Sequence, residues 1–222
     1  MPNDVVQKKK KREENLKNRK QKIGTAAKNL FFSKGYRPTT IEEIAKAAGY
    51  SKRTVYLDFK NKDDLYVSIA SDGLEILLNK LKEIPRQKLP IQDYINRFSE
   101  VIAEFSYEHS EYFHMFCVEI TPNMIEKCSI ETRQRSAEIE IAGFGLVAAE
   151  VEKAIREDLI PPIDAWEVSG IFIGSVVGNI LLSMGGSQVI FKKSALVSKV
   201  KKTGWLICQG LFSGEKDAYN AL

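Results

Sequence analysis

Residues 39–62 read TTIEEIAKAAGYSKRTVYLDFKNK. Thr40 stands three residues before Glu43, the spacing of a capping box, in which the hydroxyl takes one free backbone N–H and the carboxylate reaches back to another, so a helix is predicted to start there. Ile41, Ile44, Ala45 and Ala48 recur at helical spacing and make one apolar face, with Ala45 small enough for a second helix to approach closely. Gly49 ends the helix, because glycine takes a positive φ without a Cβ clash. Ser51 caps the chain again, Lys52, Arg53, Thr54 and Tyr56 follow, and Val55 and Phe59, four apart, supply the buried side. Two short helices across a tight turn, the second presenting donors and cations, form a helix-turn-helix. In that arrangement the second helix enters the major groove of DNA and its first residues meet base edges.

The charge distribution supports a polyanionic partner. The chain has 222 residues and a net charge of only +4, but residues 1–62 carry 17 Lys and Arg against 6 Asp and Glu, whereas the remainder carries 16 against 23. The basic end is predicted to bind nucleic acid and the acidic end is not. A hydrophobic content of 44% suffices for a real core. The three cysteines, Cys117, Cys128 and Cys208, form no C-x-x-C pair, which predicts a reducing compartment and no disulfide. The N-terminus is charged where a signal peptide needs an apolar run, so a cytoplasmic location is expected.

The same residues carry a family resemblance. An apolar helix ending FFSKGY, followed by TTIEEIAKAAGYSKRTVYLDFKNKDDLY, resembles the DNA-binding domain of the tetracycline-repressor (TetR-like) family of bacterial regulators, over about the first third of the chain. The resemblance implies DNA contacts from Thr40, Lys52, Arg53, Thr54, Tyr56 and Lys62. Two positions depart from the family pattern. Leu57 occupies a place where an aromatic or polar residue is frequent, and Asp58 one where a histidine or tyrosine often approaches phosphate. An acid there must point away, read a cytosine amino group, or pair with a neighbouring cation such as Lys60 or Lys62, and the pairing is favoured.

Upstream, residues 1–12 end in five consecutive cations and are predicted to be a disordered basic arm, either following phosphates or merely solubilising. Leu16, Lys20, Ile23, Ala27, Leu30 and Phe31 mark a first helix from about Glu13, closed by Gly35. Downstream, Asn61 can cap a connecting helix with Leu65, Ile69, Leu74, Leu77, Leu78 and Leu81 along it, ending at Pro85 to Pro90. The stripe Ile91, Ile95, Phe98, Val101 or Ile102 and Phe105 leads into an aromatic and histidine cluster. Phe105, Tyr107, His109, Phe113, His114 and Phe116 are the candidate lining of a pocket for an apolar or aromatic effector, the alternative being plain core. Thr121-Pro122 opens a long amphipathic stretch to Asp158 with a break near Ser129.

Asp164 caps the most apolar helix, and no charge falls between Val168 and Phe191. Its serines, Asn179 and the terminating Gly185-Gly186 argue against a membrane span. Gly170, Gly174 and Gly178 instead make a smooth ridge for close helix packing. That ridge and Trp205, on a last helix from Ser194 to Gly214, are the candidate dimer interface, and the resemblance implies a four-helix bundle between two copies.

No catalytic signature is present. His109 and His114 are five apart, Glu111-x-x-His114 occurs once, and there is no phosphate loop and no G-x-S-x-G, so neither enzyme activity, metal nor cofactor is expected. The sequence therefore predicts an all-α protein: a basic arm (1–12), a helix-turn-helix DNA-binding domain (13–77, motif about 40–59) and a helical effector-binding and dimerisation domain (78–222). Its partners are expected to be an inverted-repeat operator in double-stranded DNA, a second copy of itself and a small apolar or aromatic effector, with no membrane. Ligand-released repression is what the resemblance implies, and an architectural DNA-binding protein without effector control is the alternative.

Overall fold

The computed structural model describes residues 2–84, 89–185 and 195–212. Among them the chain forms ten α-helices and no strand: α1 (Pro2–Lys34), α2 (Ile41–Ala48), α3 (Lys52–Asp58), α4 (Lys62–Lys82), α5 (Ile91–Glu108), α6 (Ser110–His114), α7 (Pro122–Lys127), α8 (Ile130–Arg156), α9 (Ala165–Met184) and α10 (Leu196–Phe212). A single π-helical turn, Met115–Glu119, follows α6. The expected boundaries at Ser194, Gly186, Gly214 and residues 85–88 lie outside the described residues.

The arm of residues 1–12 differs from its expectation: from Pro2 onward it opens α1 and is helical rather than disordered. Proline at the first helical position has no N–H to lose, and the Gln, Lys, Arg and Glu that follow are strong helix formers continuous with the predicted helix from Glu13. Only the second half of α1 is anchored, through Ile23, Ala27 and Phe31, each nearly or fully buried, whereas Leu16 is exposed.

The chain divides into two compact units, Met1–Asp72 with Glu119–Ser136, and Gly73–Val118 with Ala137–Leu222. The first unit ends at Asp72, near the domain boundary expected at residue 77, and also takes in residues 119–136, which the sequence assigns to the effector-binding domain. Helices α4 and α8 each contribute to both units.

In the first unit, α2 is capped as its sequence dictates. The Thr40 side chain accepts from the Glu43 N–H, Glu43 accepts from the Thr40 N–H at 3.0 Å, and Gly49 closes the helix at φ 75°. Ile41, Ile44, Ala45 and Val55 are buried, as are Ile23, Ala27 and Phe31, and α2 packs against both α1 and α3. Phe31 and Tyr36 pack edge-on against Tyr66, with ring centroids 5.0 and 4.7 Å away. The α3–α4 turn is then tied to the α7–α8 turn. The Asp64 carboxylate accepts from the Lys60 N–H at 2.7 Å and from the Ser129 N–H and hydroxyl, both at 3.0 Å. Asn61 Nδ2 and Lys60 Nζ donate to the carbonyls of Lys127 and Cys128. Asn61 also caps α4 by accepting the Asp64 N–H at 2.8 Å.

In the second unit, α10 packs along α5 and α9. The approach of α10 to α5 requires Gly204, since a Cβ there would lie 2.8 Å from Ile95 Cγ2. Phe98, Phe105, Phe113 and Phe172 are fully or almost fully buried at the centre. Asp164 caps α9 by accepting from the Trp166 and Glu167 N–H groups. This helix has the length and composition to cross a membrane, with a mean hydropathy of 1.5. Its Val168, Phe172, Val176 and Ile180 face the core of the unit, whereas a Cβ added at Gly170, Gly174 or Gly178 would meet nothing within 4 Å.

Candidate nucleic-acid interface

The six residues expected at DNA fall into two groups. Lys52, Arg53 and Tyr56 are exposed on α3, and Thr40 is exposed at the start of α2. Lys52 is held by the Glu42 carboxylate of α2 and stands 5.9 Å from the Tyr56 ring centroid, which orients both side chains. Its hydrogen bond to Glu42 raises the Lys52 pKa, so the ammonium keeps its charge. Thr54 is half-buried and its hydroxyl lies 2.8 Å from that of Ser51, the cap of α3. Arg53 has neither ion pair nor hydrogen bond among the described residues and is fully available to a ligand.

Lys62 is placed elsewhere. Its ammonium donates to the carbonyls of Tyr36 and Thr39, both at 3.0 Å, and lies 4.2 Å from the Tyr36 ring centroid. It knits the α1–α2 turn together from within. Tyr36 in turn donates to the Asp63 carboxylate, and burial together with that bond raises the phenol pKa.

Asp58 pairs with neither Lys60 nor Lys62, the favoured sequence expectation. Arg19 of α1, 39 positions upstream, takes both its oxygens at 2.6 and 2.7 Å. The carboxylate is only 1% exposed, and the planar guanidinium fork matches it in a way a lysine cannot. This pair fixes the last turn of α3 onto α1. Lys60, the neighbouring cation, is occupied at Cys128.

The second unit contains a cavity of about 330 Å³ between α4, α5, the π-helical turn, α8 and α9. Leu74, Leu77, Leu78 and Leu81 line it from α4, Phe98 and Ile102 from α5, Ile139, Gly143 and Phe144 from α8, and Ile173 and Val177 from α9. Of the six candidate effector residues, Phe113 and Phe116 line this cavity. Phe105 lies behind, stacked on Phe116 with centroids 6.2 Å apart and beside His109 at 4.8 Å. Tyr107 is half-buried, His114 is exposed, and neither they nor His109 line the cavity. The π-helical turn brings Phe116 and Cys117 to the wall together, and burial pushes the Cys117 thiol up to about 12, so it is a neutral lining group. The α4 leucines were legible as a helix stripe, but nothing in their spacing said that the stripe faces a cavity.

A capped helix-turn-helix with exposed cations on its second helix, joined to a larger helical unit, defines a DNA-binding transcriptional regulator. Residues 23–69 match the model for bacterial regulatory proteins of the tetR family, so the helix-turn-helix unit is that of a TetR-like regulator. The HTH-type transcriptional regulator YhgD of Bacillus subtilis is 27% identical over 146 residues, which are 66% of this chain and 74% of YhgD. Two solved structures share the fold. FadR of Bacillus subtilis, in complex with stearoyl-CoA, superposes with a TM-score of 0.65 at 19% identity, over 86% of this chain and 98% of that one. Thermus thermophilus FadR, a repressor in complex with lauroyl-CoA, gives 0.63 at 21% identity, over 90% and 98%. These relatives are regulators rather than enzymes.

Proposed function

We propose that the chain acts in the cytoplasm as a homodimeric repressor of an inverted-repeat operator, released when an elongated apolar effector, such as a fatty acyl chain, fills the cavity of the second unit. The observation that carries the effector is the cavity wall. Its volume of about 330 Å³ lies within the range of ligand sites, and leucine, isoleucine, valine and phenylalanine supply most of its lining. An acyl chain is the chemistry such a wall selects, and both FadR structures hold acyl-CoA. Support for the dimer comes from the outward face of α9, where Gly170, Gly174 and Gly178 are open and Ile171 and Leu182 are half exposed. Trp205 on α10 is likewise a large apolar side chain left 46% exposed. Covering such a surface with a second copy needs no lipid.

The test is release from DNA. Operator-bound protein is titrated with stearoyl-CoA, stearate and a short-chain acetyl-CoA control. Release by the long-chain compounds alone, with a coupling of about 5- to 150-fold, is expected. Leu78→Trp, which fills the cavity, should abolish the response and keep operator affinity. If no long-chain compound weakens DNA binding, the effector assignment fails.

A further inference from the structure

Leu57 is 69% exposed, more than any other large hydrophobic among the described residues, and it lies on α3, the second helix of the helix-turn-helix. Val55 is the buried anchor of that helix. At about 100° per residue, Arg53 and Leu57 each lie about 160° around α3 from Val55, so they straddle its outermost line. Thr54 and Tyr56, about 100° from Val55, flank that line, Thr54 engaged by Ser51 and the Tyr56 ring beside the Lys52 ammonium, while Lys52 and Asp58, only about 60° from Val55, are engaged by Glu42 and Arg19. Arg53 and Leu57 alone on α3 combine full exposure with the apex position.

We infer that Arg53 and Leu57 are the base-reading pair of α3, Arg53 taking a guanine edge and Leu57 the methyl group of a thymine. The inference rests on α3 entering the major groove. Within that groove Leu57 has no donor or acceptor for phosphate or for a polar base edge, and the thymine C5-methyl is the apolar feature a base pair presents. Arg53, with a free guanidinium fork, fits the O6 and N7 acceptors of guanine. Positions four apart on a helix are separated by about 6 Å along its axis, and stacked bases by about 3.4 Å. The guanine and the thymine therefore lie about two base steps apart in each half-site.

The experiment uses the full chain and the half-site sequence enriched from a randomised DNA pool. Each thymine is replaced in turn by deoxyuridine, in both half-sites, which removes only the methyl, and affinity is read by fluorescence anisotropy. The wild type should weaken about fourfold per lost methyl at one thymine position and at no other. Leu57→Ala, confirmed as folded by circular dichroism, should bind thymine and deoxyuridine operators equally at that position. Indifference of the wild type to every replacement, or an equal loss by Leu57→Ala on both operators, overturns the assignment of Leu57. Failure to enrich any sequence would instead remove the DNA-reading function itself, and this pair with it.

Discussion

Asp64 joins the α3–α4 turn to the α7–α8 turn through three hydrogen bonds. It is 2% exposed, its Oδ2 accepts from the Lys60 N–H, and its Oδ1 accepts from the Ser129 N–H and hydroxyl. In Asp64→Ala the Ser129 hydroxyl retains Thr132 as a partner at 3.0 Å, but two main-chain N–H groups lose their acceptor. Both bonds are part-buried, so at about 0.5–1.5 kcal/mol for each the substitution should cost about 1–3 kcal/mol. That is an appreciable share of a typical stability of about 5–15 kcal/mol. Asp64→Asn keeps one acceptor oxygen and should lose about half as much. Urea unfolding followed by circular dichroism measures both, read as a change in midpoint at constant slope. The pH dependence gives an independent check. Burial pushes the Asp64 pKa up, but hydrogen bonds from Thr132, Lys60 and Ser129 more than offset it and leave the value lowered. A depressed carboxyl stabilises the fold above its unfolded pKa, near 3.9, and that contribution is lost as pH falls through the lower folded value. The gap between wild type and Asp64→Asn should therefore be full at neutral pH and shrink below about pH 4. An Asp64→Ala protein within about 0.5 kcal/mol of the wild type would refute the role of the carboxylate.

Three further outcomes follow from the same unit and its neighbour. Arg19→Ala leaves the Asp58 carboxylate, 1% exposed, without its partner and should cost about 3–5 kcal/mol in urea unfolding, with Arg19→Lys recovering only part; an unchanged midpoint contradicts this. Thr40→Ala removes the α2 cap and should lower stability by about 1 kcal/mol, measured the same way, while Thr40→Ser keeps it. Gly73→Ala places a Cβ 2.4 Å from the Tyr112 ring and should destabilise by about 1–3 kcal/mol, whereas Gly24→Ala, with nothing within 4 Å in α1, should stabilise by about 0.5–1 kcal/mol. Melting curves of the two alanine variants moving in the same direction would contradict the packing described.

The helix-turn-helix was legible because its determinants are local. Thr40 and Glu43, Gly49 and Ser51 fix ends of helices through bonds spanning three to five residues, and the structure has each cap where the spacing put it. The same holds for Thr121, Asp164 and the break at Ser129. What escaped the sequence is nonlocal. Asp58 has cations two and four positions away, yet its partner is Arg19, because α1 crosses the end of α3 with a guanidinium in reach. Residues 119–136 return to the first unit through Asp64, a carboxylate whose spacing on α4 indicates only a first-turn acid. The cavity was placed among the aromatic residues of α5 and α6, since rings stand out in a sequence, while most of its wall is aliphatic and comes from α4, α8 and α9. Helical periodicity says which face of a helix is apolar and is silent on whether that face meets a neighbour or a space.

Two copies of α3 related by a dimer two-fold should read a two-fold symmetric DNA sequence. The decisive experiment is selection of retained fragments from a randomised duplex pool by the purified chain at moderate salt, followed by sequencing. An enriched inverted repeat whose half-sites are spaced by one helical turn or a multiple of it is expected, with loss of the enrichment in Arg53→Ala. Retention of fragments that share no sequence, with Arg53→Ala behaving like the wild type, would contradict reading through α3 and leave a protein that binds DNA by charge alone.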